Sequence, residues 1–301
     1  MGDYHVHLHP HEPRPETSPP PGQYPPGHVD AFVERALSRG AAEVGFTEHL
    51  YRFVEFAPAI EGFWTAGTRQ DLTEQSRRMY YDELNLHLDR YVEAVTGARD
   101  RGLPVRLGME VDWFPAHMDR VAGILAQYPF DFLVGSVHWV GEWALDHPAV
   151  THEYERRGVR RAYEDYFALV TELAEAGVVQ VLGHADVVKK FGHRCDTEPV
   201  DLYERLVAAA VRGGVAVEVN SAGLRKRCAE PYPAPTLLRM CHDAGVPITL
   251  ASDAHEPHEA ADRFDEIARY ARAAGYREQL TFDVGGASRP VALPDPDAAA
   301  A

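Results

Sequence analysis

Seven short apolar runs, each followed by a stretch of helical period, divide this chain into repeating strand–helix units. The runs are residues 3–9, 43–47, 105–111, 130–137, 178–183, 215–219 and 247–252. The helical stretches are 29–39, 71–101, 117–127, 160–175, 200–211, 235–244 and 259–273. In the fourth of these, Tyr163, Tyr166, Phe167, Val170, Leu173 and Ala174 recur at spacings of three and four, forming one apolar stripe. Gly40, Gly102, Gly177, Gly245 and Gly275 stand where left-handed C-caps are needed. Near-continuous apolar strands alternating with helices describe a parallel sheet covered on its outside. At 301 residues a closed or nearly closed α/β barrel is expected, with a doubly wound open sheet as the alternative. One barrel domain over 1–284 and a loose tail over 285–301 are expected, with the Pro-rich stretch 13–26 as an irregular loop.

The polar residues fall where these runs end. The first run supplies His5, His7 and His9, the second Glu48 and His49, and the third Glu110. The fourth ends at His138, the fifth at His184, the sixth at Asn220, and the seventh at Asp253 and His255. In a barrel of parallel strands all these ends meet at one face. Alternation along Asp3-Tyr4-His5-Val6-His7-Leu8-His9 sets the imidazoles on one side and Tyr4, Val6 and Leu8 on the other. Neutral imidazoles so placed can chelate one cation, whereas protonated ones would repel each other. Glu110 lies in the apolar context Leu107-Gly108-Met109-Glu110-Val111, where an unpaired carboxylate is costly to bury. A carboxylate bridging two cations removes that cost. Imidazole and carboxylate ligands without thiolate suit zinc, iron(II), manganese or cobalt.

Composition narrows the partners. There are 16 His beside 30 Lys+Arg and 46 Asp+Glu, for a formal net charge of -16. That charge speaks against a surface that coats nucleic acid or lies on an anionic membrane. Cys195, Cys228 and Cys241 are widely spaced with no C-x-x-C, which fits a reducing compartment. The chain opens without a basic, then apolar leader, and no run of about 18 apolar residues is long enough to span a bilayer, so the cytoplasm is expected.

Against this acidic background, cations cluster in two loops. Lys189, Lys190, His193 and Arg194 follow the fifth run, and Arg225, Lys226 and Arg227 follow the sixth. With a metal cluster beside them, Lys190, His193, Arg194, Asn220 and Arg225 become candidates to bind a phosphate. Phe53, Phe56, Phe63, Trp64, Trp139 and Trp143 are candidates to cover the substrate, with ordinary packing as the alternative. There is no G-x-S-x-G, no P-loop, no G-x-G-x-x-G after the first strand and no H-E-x-x-H.

The ordered set His5-x-His7, Thr47-Glu48-His49, Glu110, Gly135-Ser136-Val137-His138, Gly183-His184-Ala185-Asp186 and Ser252-Asp253-Ala254-His255 resembles the PHP (polymerase and histidinol phosphatase) superfamily. The stretches 189–194 and 220–225 bring the likeness closer to the histidinol-phosphatases of that superfamily, and it covers about residues 3–260. The resemblance implies a distorted (β/α)7 barrel, with three divalent cations bound at the C-terminal ends of its strands. His5, His7, Glu110 and Asp253 would hold the first, and Glu110, His138 and His184 the second. His49, His255 and a further N-terminal His would hold the third. That His usually stands where this chain has Pro13, so His9 and His11 are both candidates. The implied activity is hydrolysis of L-histidinol phosphate, a step of histidine biosynthesis, with Asp253, His255 or a metal-bound water as candidates for protonating the leaving group. Another small phosphate ester, or an amidohydrolase-like reaction, is the alternative; no nucleic-acid or membrane partner is expected.

Overall fold

A computed structural model of the protein describes residues 1–12, 18–65 and 67–294. Pro13 and the rest of the segment 13–17 lie outside the described residues, and 18–27 carries neither helix nor strand. Seven parallel strands close a barrel in sequence order: β1 (Gly2–Val6), β2 (Glu43–Phe46), β3 (Val105–Asp112), β4 (Phe132–Ser136), β5 (Val181–Leu182), β6 (Ala216–Asn220) and β7 (Ile248–Ala251). Pairing of Asp3 with Leu250 joins β1 to β7 and completes the ring. The closed barrel is therefore the architecture, not the open sheet, and every strand named from the sequence is in it.

Outside the ring lie α1 (His28–Ser38), α2 (Gln70–Glu83), α3 (Leu88–Asp100), α4 (Met118–Leu125), α5 (Val159–Glu175), α6 (Val200–Gly213), α7 (Pro235–Asp243) and α8 (Phe264–Ala274). The stripe on α5 is buried as its spacing requires. The helix expected over 71–101 is two helices. The chain leaves α2 after Glu83 because the Asn85 and Leu86 N–H groups donate to the Arg52 carbonyl (3.1 and 2.9 Å). That diversion also buries Leu86 completely. Among the described residues no helix is long and apolar enough to cross a membrane.

The chain does not fray at Gly285. It turns there and pairs Ser288–Ala292 antiparallel with Glu278–Phe282, and Leu293 is buried; only 295–301 of the expected tail lies outside the described residues. Phe282 from this hairpin joins Tyr4, Phe132, Val134, Val181 and Ala216, residues at the N-terminal ends of the barrel strands. Tyr4 reaches this cluster because the pairing of β1 with β2 shifts register between Asp3 and Val6. The simple two-sided alternation expected for 3–9 is broken at that point: Tyr4 packs in the closed end while His5 and His7 serve the open one.

Phe132 is the centre of the closed end. Its ring stands edge-on to Tyr4 (5.3 Å) and stacks on Phe282 (5.0 Å). A Cβ at Gly45 or Gly108 would lie 2.5 or 2.6 Å from that ring, so both positions require glycine. Phe132→Ala is expected to cost about 3–5 kcal/mol of stability, read as a lowered midpoint in denaturant unfolding. A loss under about 1 kcal/mol would mean the closed end collapses around the gap.

Candidate metal centre

Glu110 leaves β3 at the open end, fully buried, and its two oxygens face two groups of imidazoles. Oε2 lies 3.4 Å from His5 Nε2, 3.6 Å from His7 Nε2 and 2.5 Å from His49 Nδ1. Oε1 lies 3.0 Å from His184 Nε2 and 3.4 Å from His138 Nε2. Asp253 completes the first side, with Oδ1 3.4 Å from His7 Nε2 and 3.8 Å from His5 Nε2. The His7 ring is sandwiched between those of His49 and His255, at 4.3 and 4.2 Å. Side chains from β1, β3 and the loops after β2, β4, β5 and β7 thus converge within a few ångströms, as the strand-end pattern predicts.

These atoms are donors in search of a cation. Among the described residues, the Nε2 atoms of His5, His7 and His255 are buried without a hydrogen-bond partner. Leaving such groups unpaired is expensive. Among the described residues, three sets of ligand atoms lie close enough to hold an ion: His7 with His49 and His255, His5 with His7 and Glu110, and His49 with Glu110 and His138. Divalent metal fits this donor set in number, spacing and chemistry.

Protonation follows the same logic. Burial pushes the carboxyl of Glu110 toward the neutral form, but His49, His5 and His138 hold it well below the usual carboxylate range. Asp253 is held low in the same way by His5 and His7. Burial moves His49 down to about 3 and, with His7 and His11, His255 well below its ordinary value. Burial also opposes the charged forms of His5 and His138. For His5, Glu218 and Glu110 prevail and raise it well above its ordinary value, and for His138, Glu110 and Asp112 raise it to about 10. The carboxylates, His49 and His255 are thus already in the state that binds metal, and an arriving cation would displace protons from His5 and His138.

Around this shell stand residues the strand-end pattern did not single out. Glu218 on β6 holds His5 Nδ1 through Oε2 (2.9 Å), while its Oε1 accepts the His184 N–H (2.5 Å) and the Asn220 amide (2.6 Å). Asp112 holds His138 Nδ1 at 2.6 Å. With Nδ1 engaged, each ring presents Nε2 to the cluster. A carboxylate inside the otherwise apolar β6 run was the available signal for Glu218. His184 (φ 23°) and Asp253 (φ 51°) both sit in the left-handed region, where non-glycine residues are strained. The His184 amide is tied down by Glu218. Asp253 is secured through its neighbour Ser252, whose N–H and hydroxyl donate to the buried Asp3 (2.9 and 2.6 Å).

His9 and His11 separate clearly. His9 is buried with Nε2 3.1 Å from the Gln23 carbonyl and its ring against Tyr24, on the far side of the loop. His11 brings Nε2 to 3.3 Å from His49 Nε2, and its ring centre lies 4.8 Å from that of His255.

Above the cluster opens a cavity of about 520 Å³, with His11, His49, His138, His184, Asp253 and His255 at its base. Lys190, Arg225 and Lys226 line it, but not all five phosphate candidates do. Asn220 is fully buried, with its side chain bound to Glu218 and to the Ala222 N–H. Arg194 turns outward to Glu230 (3.4 Å) and the Cys228 carbonyl (3.3 Å). The His193 ring stacks on Tyr154 at 4.3 Å. Lys190 pairs with Asp146 (2.9 Å), and Arg225 with Glu259 (3.3 Å). The Lys226 ammonium has no ion-pair partner among the described residues, and burial followed by Lys190 lowers its pKa. Of the aromatic residues expected to cover a substrate, only Trp139 lines this cavity. Phe63 packs on Phe114 and Trp139, Trp64 on Tyr80, and Phe53, Phe56 and Trp143 are fully buried, so packing accounts for them.

Comparison with known proteins adds the following. Residues 26–222 match the PHP domain family. That stretch begins beyond His5 and His7 and ends before Asp253, yet the barrel returns all three to the residues inside it. The chain is 42% identical over 254 residues to a Deinococcus radiodurans protein named "Probable histidinol-phosphatase", covering 83% of this chain and 88% of that one. Over 291 residues it is 22% identical to the "Histidinol-phosphatase" of Lactococcus lactis subsp. lactis, covering 93% of each. The crystal structure of histidinol phosphate phosphatase from Lactococcus lactis, complexed with zinc, L-histidinol and phosphate, shares the fold. Its TM-score is 0.69 at 20% identity, covering 95% of this chain and 97% of that one.

Proposed function

The chain belongs to the PHP domain family, and from that membership we propose that it is a metal-dependent phosphomonoesterase hydrolysing L-histidinol phosphate to L-histidinol and phosphate. The observation that carries this reading is the placing of Glu110, one oxygen toward His5, His7 and His49 and the other toward His138 and His184. A carboxylate so placed is suited to bridge two cations.

One cation would be held by His5, His7, Glu110 and Asp253, and a second by Glu110, His138 and His184. His11, rather than His9, would join His49 and His255 around a third. Zinc is the first candidate, since a relative of the same fold binds it; iron(II), manganese and cobalt suit the same ligands. Bound divalent cations lower the pKa of water and neutralise the charge of a phosphoryl group in flight.

The chain's own residues do the rest. Lys226, which has no ion-pair partner among the described residues, is the cation most available to a phosphate, and Arg225 and Lys190 stand beside it. Trp139 and Tyr232 give the cavity apolar wall. Glu256 adds negative charge that suits a substrate carrying an ammonium as well as a phosphate. Asp253 and His255 line the cavity and would be candidates for protonating a departing alkoxide. As a carboxylate and a neutral imidazole 3.7 Å apart, they would relay a proton from water rather than supply one of their own.

Phosphate release by zinc-loaded protein, measured on L-histidinol phosphate beside nucleoside and sugar monophosphates, tests the assignment. Turnover of L-histidinol phosphate is expected to exceed that of the others by at least about a hundredfold in kcat/KM, the order a site built for several polar contacts achieves. Faster hydrolysis of a different ester would leave the metal site standing and replace the substrate.

A further inference from the structure

We infer that Glu83 and Arg52 are positioning residues for His11, locking the end of α2 to the N-terminal segment so that one imidazole is presented to the third cation. The inference rests on the reading that His11, His49 and His255 hold that cation. His11 belongs to no helix or strand, and its side chain is 43% exposed. A ligand on such a segment must be fixed from outside or give up affinity to ordering entropy.

Two side chains supply that fixing. Glu83 Oε1 lies 2.9 Å from His11 Nδ1 across 72 residues of sequence. With Nδ1–H donating to that carboxylate, Nε2 keeps its lone pair, and Nε2 is the atom facing His49. Glu83 is the last residue of α2, where the helix dipole disfavours an anion. Its place there is answered by Arg52, whose Nε stands 3.1 Å from Glu83 Oε2. Arg52 is 1% exposed and donates Nη1 to the His9 carbonyl (2.8 Å) and Nη2 to the Pro10 carbonyl (3.5 Å). One guanidinium thus holds both the backbone leading into His11 and the carboxylate that orients its ring. The Arg52 carbonyl also ends α2, by accepting from Asn85 and Leu86, which sets Glu83 at the required spot. An ordinary surface ion pair would need none of these additional contacts.

The test uses the full chain and zinc. Zinc per chain is measured after loading and gel filtration, and zinc affinity by competition with a chromogenic chelator. The set is wild type, His11→Ala, Glu83→Ala, Glu83→Gln and the His11→Ala/Glu83→Ala pair, with circular dichroism as the check on folding. Glu83→Ala is expected to weaken one zinc by about 10–100-fold, as loss of a ligand's orienting partner does, and to leave the others unchanged. The double variant should bind no more weakly than His11→Ala alone. Glu83→Gln, which can still accept from His11 Nδ1 but meets Arg52 with an amide, should fall between wild type and Glu83→Ala. If His11→Ala loses a zinc while Glu83→Ala and Glu83→Gln bind as wild type, the positioning role is wrong and the third site stands. Additive losses in the double variant would also overturn it, by placing the effect of Glu83 elsewhere. If His11→Ala itself keeps every zinc, the third site is wrong and the positioning role falls with it.

Discussion

Replacing Glu110 by Gln is expected to lower phosphate release by about a thousandfold or more, the scale on which a single preorganised charge partner acts in a buried site, while the barrel stays folded. The amide keeps the shape of the carboxylate and removes its charge. Five imidazoles face that group, and their nitrogens come within 3.6 Å of it at most. An amide can turn its oxygen toward only one set of them, so the two halves of the cluster lose their common ligand. Metal content should fall together with activity, and far-ultraviolet circular dichroism should not change. A variant that kept both its metal and its rate would end the bridging assignment.

Stripping the metal is expected to have the second large effect, on rate and stability together. Exhaustive chelation should abolish hydrolysis, and adding back zinc or another suitable divalent ion should restore it. A site occupied at a thousand times its dissociation constant stabilises the folded chain by about 4 kcal/mol. At about 2 °C per kcal/mol for a large domain, one ion accounts for roughly 8 °C of melting temperature. The stabilisation has a clear origin here, since the buried Nε2 atoms of His5, His7 and His255 have no hydrogen-bond partner among the described residues. Full activity in protein shown by elemental analysis to be free of metal would refute the proposed chemistry.

Much of this arrangement is legible in the sequence, because strand ends in a parallel barrel point to one place. His5, His7, His49, Glu110, His138, His184, Asp253 and His255 need only the strand positions to be assembled. What escapes is set by single long-range contacts. Arg194 reads as a phosphate ligand until Glu230, 36 residues on, is seen to hold it. Asn220 stands at a strand end like the true members of the cluster, but its side chain is used up by the turn that follows. His9 and His11 differ in what they meet, Gln23 and Tyr24 for the one and His49 for the other, which their spacing does not reveal. The break between α2 and α3 was hidden because 71–101 keeps helical period through Leu84 and Leu86, and backbone pairing with Arg52 overrides that local preference. Lys226 belongs to a charge run like any other; what distinguishes it is that it lines the cavity with no ion-pair partner among the described residues.

The plug at the closed end joins opposite ends of the polypeptide: the Phe282 N–H donates to the Tyr4 hydroxyl at 2.9 Å. During synthesis, which runs at about 5–20 residues per second, the N-terminal histidines leave the ribosome well before the strand and hairpin that complete their surroundings. A ring closed between first and last strands cannot form from a partial chain, and contacts of such sequence separation are made slowly. The nascent protein therefore passes through an interval in which His5 and His7 are in solvent with no Asp253 to join them. The cluster is complete only once β7 and the loop after it have been made, so a chain cut short anywhere before Asp253 carries metal-seeking side chains but no enzyme.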